Sequence, residues 1–394
     1  MMNRATTWCS AFVLLLGLTA CAGDPPANTG DLTPTVDAGV AAPDAEEEAE
    51  LDPYEQALEE REIDYSAALR IAALRLTGDL PTLVDIKAVA AASDPQSAYN
   101  SKVSDYLADP RFAQTQIAFW QNSFKMGGSP MLDSAGVFAA QLVVENRSYL
   151  ELLTATSGTC ATYTGTTFTP VDCDNGVAVH AGLLTHPGMH AHFMSNMAFR
   201  RTRWVQETFA CTAFPAELAE EPVALTATAL YSAPWEFDSI SGTANGGDID
   251  FLDYSSVVCA NCHATMNHLA PLLGFFDENG QATAEIAVPK PTEGTPMTAM
   301  IDWLPEGETT AWRLGANAAD LPALGQAMAA DPKIAECAVA RAWNWAMGKG
   351  DIVDTLSVVP PDVFAAEQAE FINNNYDFKT LLYRVFTSDD FTRF

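Results

Sequence analysis

The stretch Ala67-Ala68-Leu69-Arg70-Ile71-Ala72-Ala73-Leu74-Arg75-Leu76 decides the fold class, because its apolar residues Ala67, Leu69, Ile71, Leu74 and Leu76 recur at helical spacing. Outward from it the same signal returns around Leu83 to Ala91, Val103 to Leu107 and Phe112 to Trp120. Pro81, Pro95 and Pro110 punctuate these runs where helices would start rather than continue. Further helices are expected from Arg201 to Cys211, Leu321 to Ala330, Pro332 to Met347 and Phe378 to Phe386. Between Cys160 and Cys173 the residues turn to Thr, Tyr, Phe and Gly, which predicts a short hairpin or loop whose ends a disulfide would close. The expected architecture is mainly α, with helical bundle modules and one short closed hairpin.

A chain of 394 residues, 48% of them hydrophobic, has enough apolar surface for a sizeable core. Its net charge of −31 repels phosphate backbones, so nucleic acid is excluded as a partner class. At the N-terminus, Arg4 precedes an apolar run from Trp8 to Leu18 that is too short to span a bilayer. Leu18-Thr19-Ala20-Cys21 closes it in the manner of a lipobox, with Cys21 as the lipidated residue. Residues 1–20 are therefore expected to be a signal peptide. Residues 21–53, rich in Pro, Ala and acids and without Lys or Arg, form a tether. The body divides into 54–157, a helical module; 158–315, rich in histidine; and 316–394, a second helical module. This pattern predicts a lipid anchor in a bacterial envelope membrane, with the body facing the periplasm or the cell surface. Such a compartment is oxidising, so the cysteines left after loss of Cys9 should pair or carry a group.

Two of them lie in Cys259-Ala260-Asn261-Cys262-His263. Two thiols at this spacing reach the two vinyl groups of one porphyrin, and the adjacent imidazole binds iron from the same side. The motif predicts one covalent haem c, with Cys259 and Cys262 as thioethers and His263 as proximal iron ligand. A redox dithiol would want a strand-to-helix context that is missing here. A zinc site would need two more ligands, of which only His268 is near.

The sixth iron ligand has several candidates. Met297 and Met300 lie in an irregular Pro-containing stretch downstream, with core packing as the competing reading of each. His180, His186, His190 and His192 place four of the six histidines close together, and of these His186, His190 and His192 are carried as distal candidates. Hydrogen-bonded core histidines and a second metal site are the competing readings of the cluster.

The order of segments resembles the modular planctomycete-type cytochrome c domain family, which includes lipoproteins. Leu76-Thr77-Gly78-Asp79-Leu80-Pro81-Thr82 and Tyr106-Leu107-Ala108-Asp109-Pro110-Arg111-Phe112 look like its N-terminal module, in which Leu83 and Ile86 would face the core. Gly182-Leu183-Leu184-Thr185-His186-Pro187 with Arg201-Thr202-Arg203-Trp204-Val205 and Cys211 resembles its middle module. Cys259 to His263, ending in Phe276-Asp277-Glu278-Asn279-Gly280, resembles its haem segment. Cys337 to Gly348, with Asp377 to Leu382 and Ser388 to Phe391, resembles its C-terminal module. The chain departs from the family at Asn267-His268-Leu269-Ala270 and Gly274, where the family shows Asp-Pro-hydrophobic-Gly and a Glu. The resemblance also implies the pairs Cys160–Cys173 and Cys211–Cys337.

The sequence thus predicts single-electron transfer with an unidentified redox partner. One rival is a haem peroxidase or oxygenase with an open distal site. The other is a scaffold lipoprotein in which Cys259 and Cys262 form a disulfide and no haem is bound.

Overall fold

The computed structural model describes residues 56, 57, 59–212, 243–244, 248–249, 266–289, 309–351 and 358–394. Cys21, Cys259, Cys262, His263, Met297 and Met300 lie outside the described residues. Ala57–Phe394 is one compact unit. The fold is mainly helical.

Local chemistry sets the helix ends. α1 (Tyr65–Thr77) starts where the Asp64 carboxylate accepts hydrogen bonds from the amides of Ser66 and Ala67, and stops at Gly78 in the left-handed region. α2 (Leu83–Ala90) is capped by Thr82, α3 (Pro95–Ala108) by Asp94 and α5 (Pro130–Val144) by Ser129. Pro95 sits at the first turn of α3, where its missing N–H costs nothing. Pro110 immediately precedes α4 (Arg111–Phe124). After the short α6 (Glu151–Thr154), the disulfide Cys160–Cys173 brackets a hairpin of β1 (Thr162–Tyr163) and β2 (Phe168–Thr169). α7 (Pro187–His192) and α8 (Phe199–Phe209) follow. β3 (Thr243–Ala244) and β4 (Asp248–Ile249) form a minimal antiparallel ladder.

Residues 266–273 are helical and form α9. The C-terminal part holds β5 (Ala311–Trp312) and β6 (Ala316–Asn317), then α10 (Leu321–Ala329), α11 (Pro332–Ala346), α12 (Ala365–Asn373), α13 (Phe378–Phe386) and α14 (Asp389–Thr392). α10 and α11 each begin on an aspartate cap, Asp320 and Asp331. No helix among the described residues is long and apolar enough to cross a membrane.

The core position expected for Leu83 is corrected, and the buried faces of α1 and α2 are now defined. In α1 the buried face is Ala68, Leu69, Ala72, Ala73 and Leu76, while Leu74 is 52% exposed, because it lies on the side of the helix turned from its neighbours. In α2 Leu83 is 71% exposed and Val89 is buried; only the far half of that helix reaches the core, through Ile86 and Val89. The α8 helix begins at Phe199 and ends at Phe209, so Cys211 stands beyond it, with a φ of 51°.

Buried side chains from all three parts of the body share one apolar core. Its centre is aromatic. The Phe378 ring lies 5.0 Å from that of Trp120 and 6.0 Å from those of Phe119 and Tyr149, with Phe371 close by. Tyr99 of α3 donates to the Phe386 carbonyl of α13 at 2.6 Å, and Trp204 of α8 to the Phe124 carbonyl of α4 at 2.8 Å. The chain also closes on itself: Ile63 and Arg393 form an antiparallel bridge, with Glu62 and Phe394 exchanging backbone hydrogen bonds. Phe378→Ala should therefore lower stability by about 3–5 kcal/mol in urea unfolding followed by circular dichroism, as for other large aromatic truncations in cores.

Candidate functional site

The described chain resumes within α9, three residues after His263, and α9 is enclosed on most sides. Asn267, Leu269, Ala270 and Leu273 are buried. Past its end, residues 274–283 turn back on themselves: the Asp277 carboxylate accepts from the amides of Asn279 and Gln281, and Phe276 bridges to Ala282. The amide of Gln281 is the chief reason that the Asp277 carboxyl is held below its ordinary range.

Arg201, from α8, fastens this turn. Its fully buried guanidinium donates to the carbonyls of Leu273, Phe276 and Asp277, and to that of His190 at 2.9 and 2.6 Å. Leu273 is the last residue of α9 and His190 lies in the last turn of α7, so the cation sits where the negative ends of two helices converge. Burial pulls the Arg201 guanidinium down to about 10, which leaves it charged at neutral pH.

Asn175 adds a second clasp, donating to the carbonyls of Thr185 and Gly280. Gly280 has a φ of 73°, and a side chain there would come within 2.2 Å of the Pro187 carbonyl oxygen. Only glycine allows that approach.

The four clustered histidines separate. His186 is fully buried: its Nδ1 accepts from the Gly188 amide at 3.1 Å, and its Nε2 faces Ser134 Oγ at 3.1 Å. With both nitrogens engaged it offers no lone pair to an iron in this arrangement. His190 is also fully buried, its Nε2 donating to the Leu184 carbonyl at 2.8 Å, its Nδ1 unpartnered and its ring stacked on Phe276 at 3.5 Å. His192 is exposed and meets Phe193 edge-on. His180 shares a hydrogen bond with Thr185 Oγ1. The described part of the chain therefore brings His186 and His190 together around the first turn of α7 and leaves His192 outside.

Beside α9 lies a largely apolar cleft of about 430 Å³, lined by Val177, Val179, Leu272, Phe275, Phe276 and Pro322 among others. Phe275 and Val179 are partly open to solvent there. His190 stands behind Phe276, on the protein side of this wall.

Nothing in the sequence singles out Asn175 or Ser134, or gives Arg201 a role. An Arg inside an otherwise apolar-periodic helix is the one signal that could have marked Arg201 as an internal fastener.

Comparison with family models, with curated proteins and with solved structures finds no match to this chain.

Two outcomes are expected. Burial pushes His186 down to about 3 from 6.5, and His190 well below 6.5. Below pH 6.5 the unfolded chain takes up protons at these two positions while the folded one does not. Stability should then be full above that value and fall by up to about 1.4 kcal/mol per pH unit per histidine as the pH drops toward 3. Urea titrations between pH 7.5 and 5, before most carboxylates titrate, read this slope, and His190→Gln should reduce it. Arg201→Met should cost at least about 3 kcal/mol by stranding several buried carbonyls, with Arg201→Lys recovering only part; hydrogen exchange should rise first in residues 266–283.

Proposed function

We propose that this protein is an exported lipoprotein cytochrome, similar to the planctomycete-type cytochrome c domain proteins, that carries one covalent haem c and passes single electrons. The observation that carries the reading is the donor set. Cys160 is joined to Cys173 and Cys211 to Cys337, so beyond Cys21 the cysteines left over are Cys259 and Cys262, next to His263. Two spare thiols and an adjoining imidazole at this spacing fit a haem and do not need another use.

Bound there, haem supplies one-electron cycling of its iron. Cys259 and Cys262 would hold the ring and His263 the iron, with Met297, Met300, His190 or His192 as source of the sixth ligand. The chain's own part is anchorage and exclusion of water. α9 lies three residues past His263 in sequence, and Arg201 and Asn175 fasten the turn after it, which would give the neighbouring haem segment a fixed anchor. The apolar cleft beside Leu272 and Phe275 offers a surface suited to a macrocycle edge. Electron carriage is favoured over peroxide chemistry because His186 and His190 are buried within the fold and hydrogen-bonded there, which suits them poorly to exchange protons at an open distal face. A Cys21 lipid would tether the body to an envelope membrane, where the redox partner is expected.

The test is the absorption spectrum of the mature protein, produced in a host that attaches haem c, oxidised and reduced, with and without carbon monoxide. A low-spin spectrum insensitive to carbon monoxide, lost in the Cys259→Ala/Cys262→Ala variant, is the expected result. A carbon-monoxide-binding, high-spin spectrum would support the oxidoreductase reading instead, and the absence of any Soret band would sink both.

A further inference from the structure

The two disulfides have opposite surroundings. In Cys160–Cys173 each sulfur faces a hydrogen-bond donor. Thr159, fully buried, places its Oγ1 3.3 Å from Cys173 Sγ, and since a disulfide sulfur carries no hydrogen the hydroxyl must be the donor. His186 lies on the other side, with Nε2 3.7 Å from Cys160 Sγ. The Gly188 amide donates to Nδ1, which therefore holds a lone pair and leaves the ring proton on Nε2. Ser134 Oγ donates to the Met131 carbonyl, so it too receives that Nε2–H, which is shared between Ser134 Oγ and Cys160 Sγ.

In Cys211–Cys337 each sulfur instead faces a carbonyl oxygen. Cys211 Sγ is 3.6 Å from the Cys337 carbonyl, and Cys337 Sγ is 3.6 Å from that of Thr208. Arg341 is the cation nearby, and its guanidinium donates to the carbonyls of Thr208 and Glu207 and to the Asp351 carboxylate.

Reduction converts sulfur to thiol and thiolate, and a thiolate is stabilised by donors and destabilised by acceptor oxygens. We propose that Cys160–Cys173 is an exchangeable, redox-active disulfide that takes two electrons from an external dithiol, while Cys211–Cys337 stays oxidised. A thiolate of the dithiol attacks Cys160 Sγ, the half-buried and more accessible partner, and the S–S bond breaks with its electron pair passing to Cys173 Sγ beside the Thr159 hydroxyl. The second thiol of the reductant then displaces Cys160, whose departing sulfur faces His186 Nε2–H. The products are the two thiols of Cys160 and Cys173 and the disulfide of the reductant, so both protons come from the dithiol.

Cys160, Cys173 and His186 also lie within 4.8 Å of one another, close enough in the reduced state for a soft metal ion. The tautomer argues against that use. A metal on Nε2 would require the proton on Nδ1, directly against the Gly188 N–H.

The experiment equilibrates the full mature chain in buffers of oxidised and reduced dithiothreitol, traps free thiols by alkylation and reads each cysteine peptide by mass spectrometry. Cys160 and Cys173 should become reduced with an equilibrium constant at least tenfold larger than Cys211 and Cys337, a difference of about 30 mV. Thr159→Val should shrink that ratio several-fold, Thr159→Ser should restore it, and Cys211–Cys337 should not move in either. Simultaneous reduction of both pairs, earlier reduction of Cys211–Cys337, or an unchanged ratio in Thr159→Val would overturn the proposal.

Discussion

A buried cation must find compensation within the protein, and here the guanidinium of Arg201 finds it in backbone oxygen atoms. The order of elements around it follows from that need. α7 and α9 both end on it, α8 delivers it, and the turn at 276–280 is drawn in until Gly280 meets Pro187. His190 is fixed by the same bond that holds its own carbonyl to the cation, and its ring then closes over Phe276. The segment beyond Cys259–His263 is thereby clamped by charge and dipole rather than by apolar packing alone, a form of attachment that tolerates little substitution.

Much of the helical layout could be read from the sequence, because caps and prolines act locally. Asp64, Thr82, Asp94, Asp320 and Asp331 each satisfy an orphan amide within three residues, and α10, α11 and α13 lie where the apolar spacing puts them. Which face of a helix is buried is a different matter. Leu74 and Leu83 fit the apolar pattern but stand in solvent, since burial depends on how far each neighbouring helix extends. The roles of the histidines were less legible still. His186 and His190 are adjacent in sequence to other histidines, yet what each does is set by Ser134, Leu184 and Phe276, partners that arrive from elsewhere in the chain or from the turn before. Spacing can mark a Cys-x-x-Cys-His motif because its five positions are local; no comparable local rule exists for a side chain whose partners are distant.

The contrast between the disulfides belongs to the same lesson. Both join cysteines in ordinary fashion, and sequence separation, 13 against 126 residues, would suggest only that the longer loop restrains the unfolded chain more. What distinguishes them is the sign of the nearest dipole, supplied by Thr159 and His186 in one case and by the carbonyls of Cys337 and Thr208 in the other.

The bridge between Ile63 and Arg393 bears on the order of synthesis. A ribosome releases residues 62–64 well before residues 392–394, and Asp64, which caps α1, also bonds through its amide to the Thr392 carbonyl. The entrance to α1 is therefore sealed only once residues 392–394 have arrived. Non-local closure of this kind slows folding and leaves early helices open to solvent or to a chaperone in the meantime. Removing residues 392–394 would unseat the start of α1, far away in sequence.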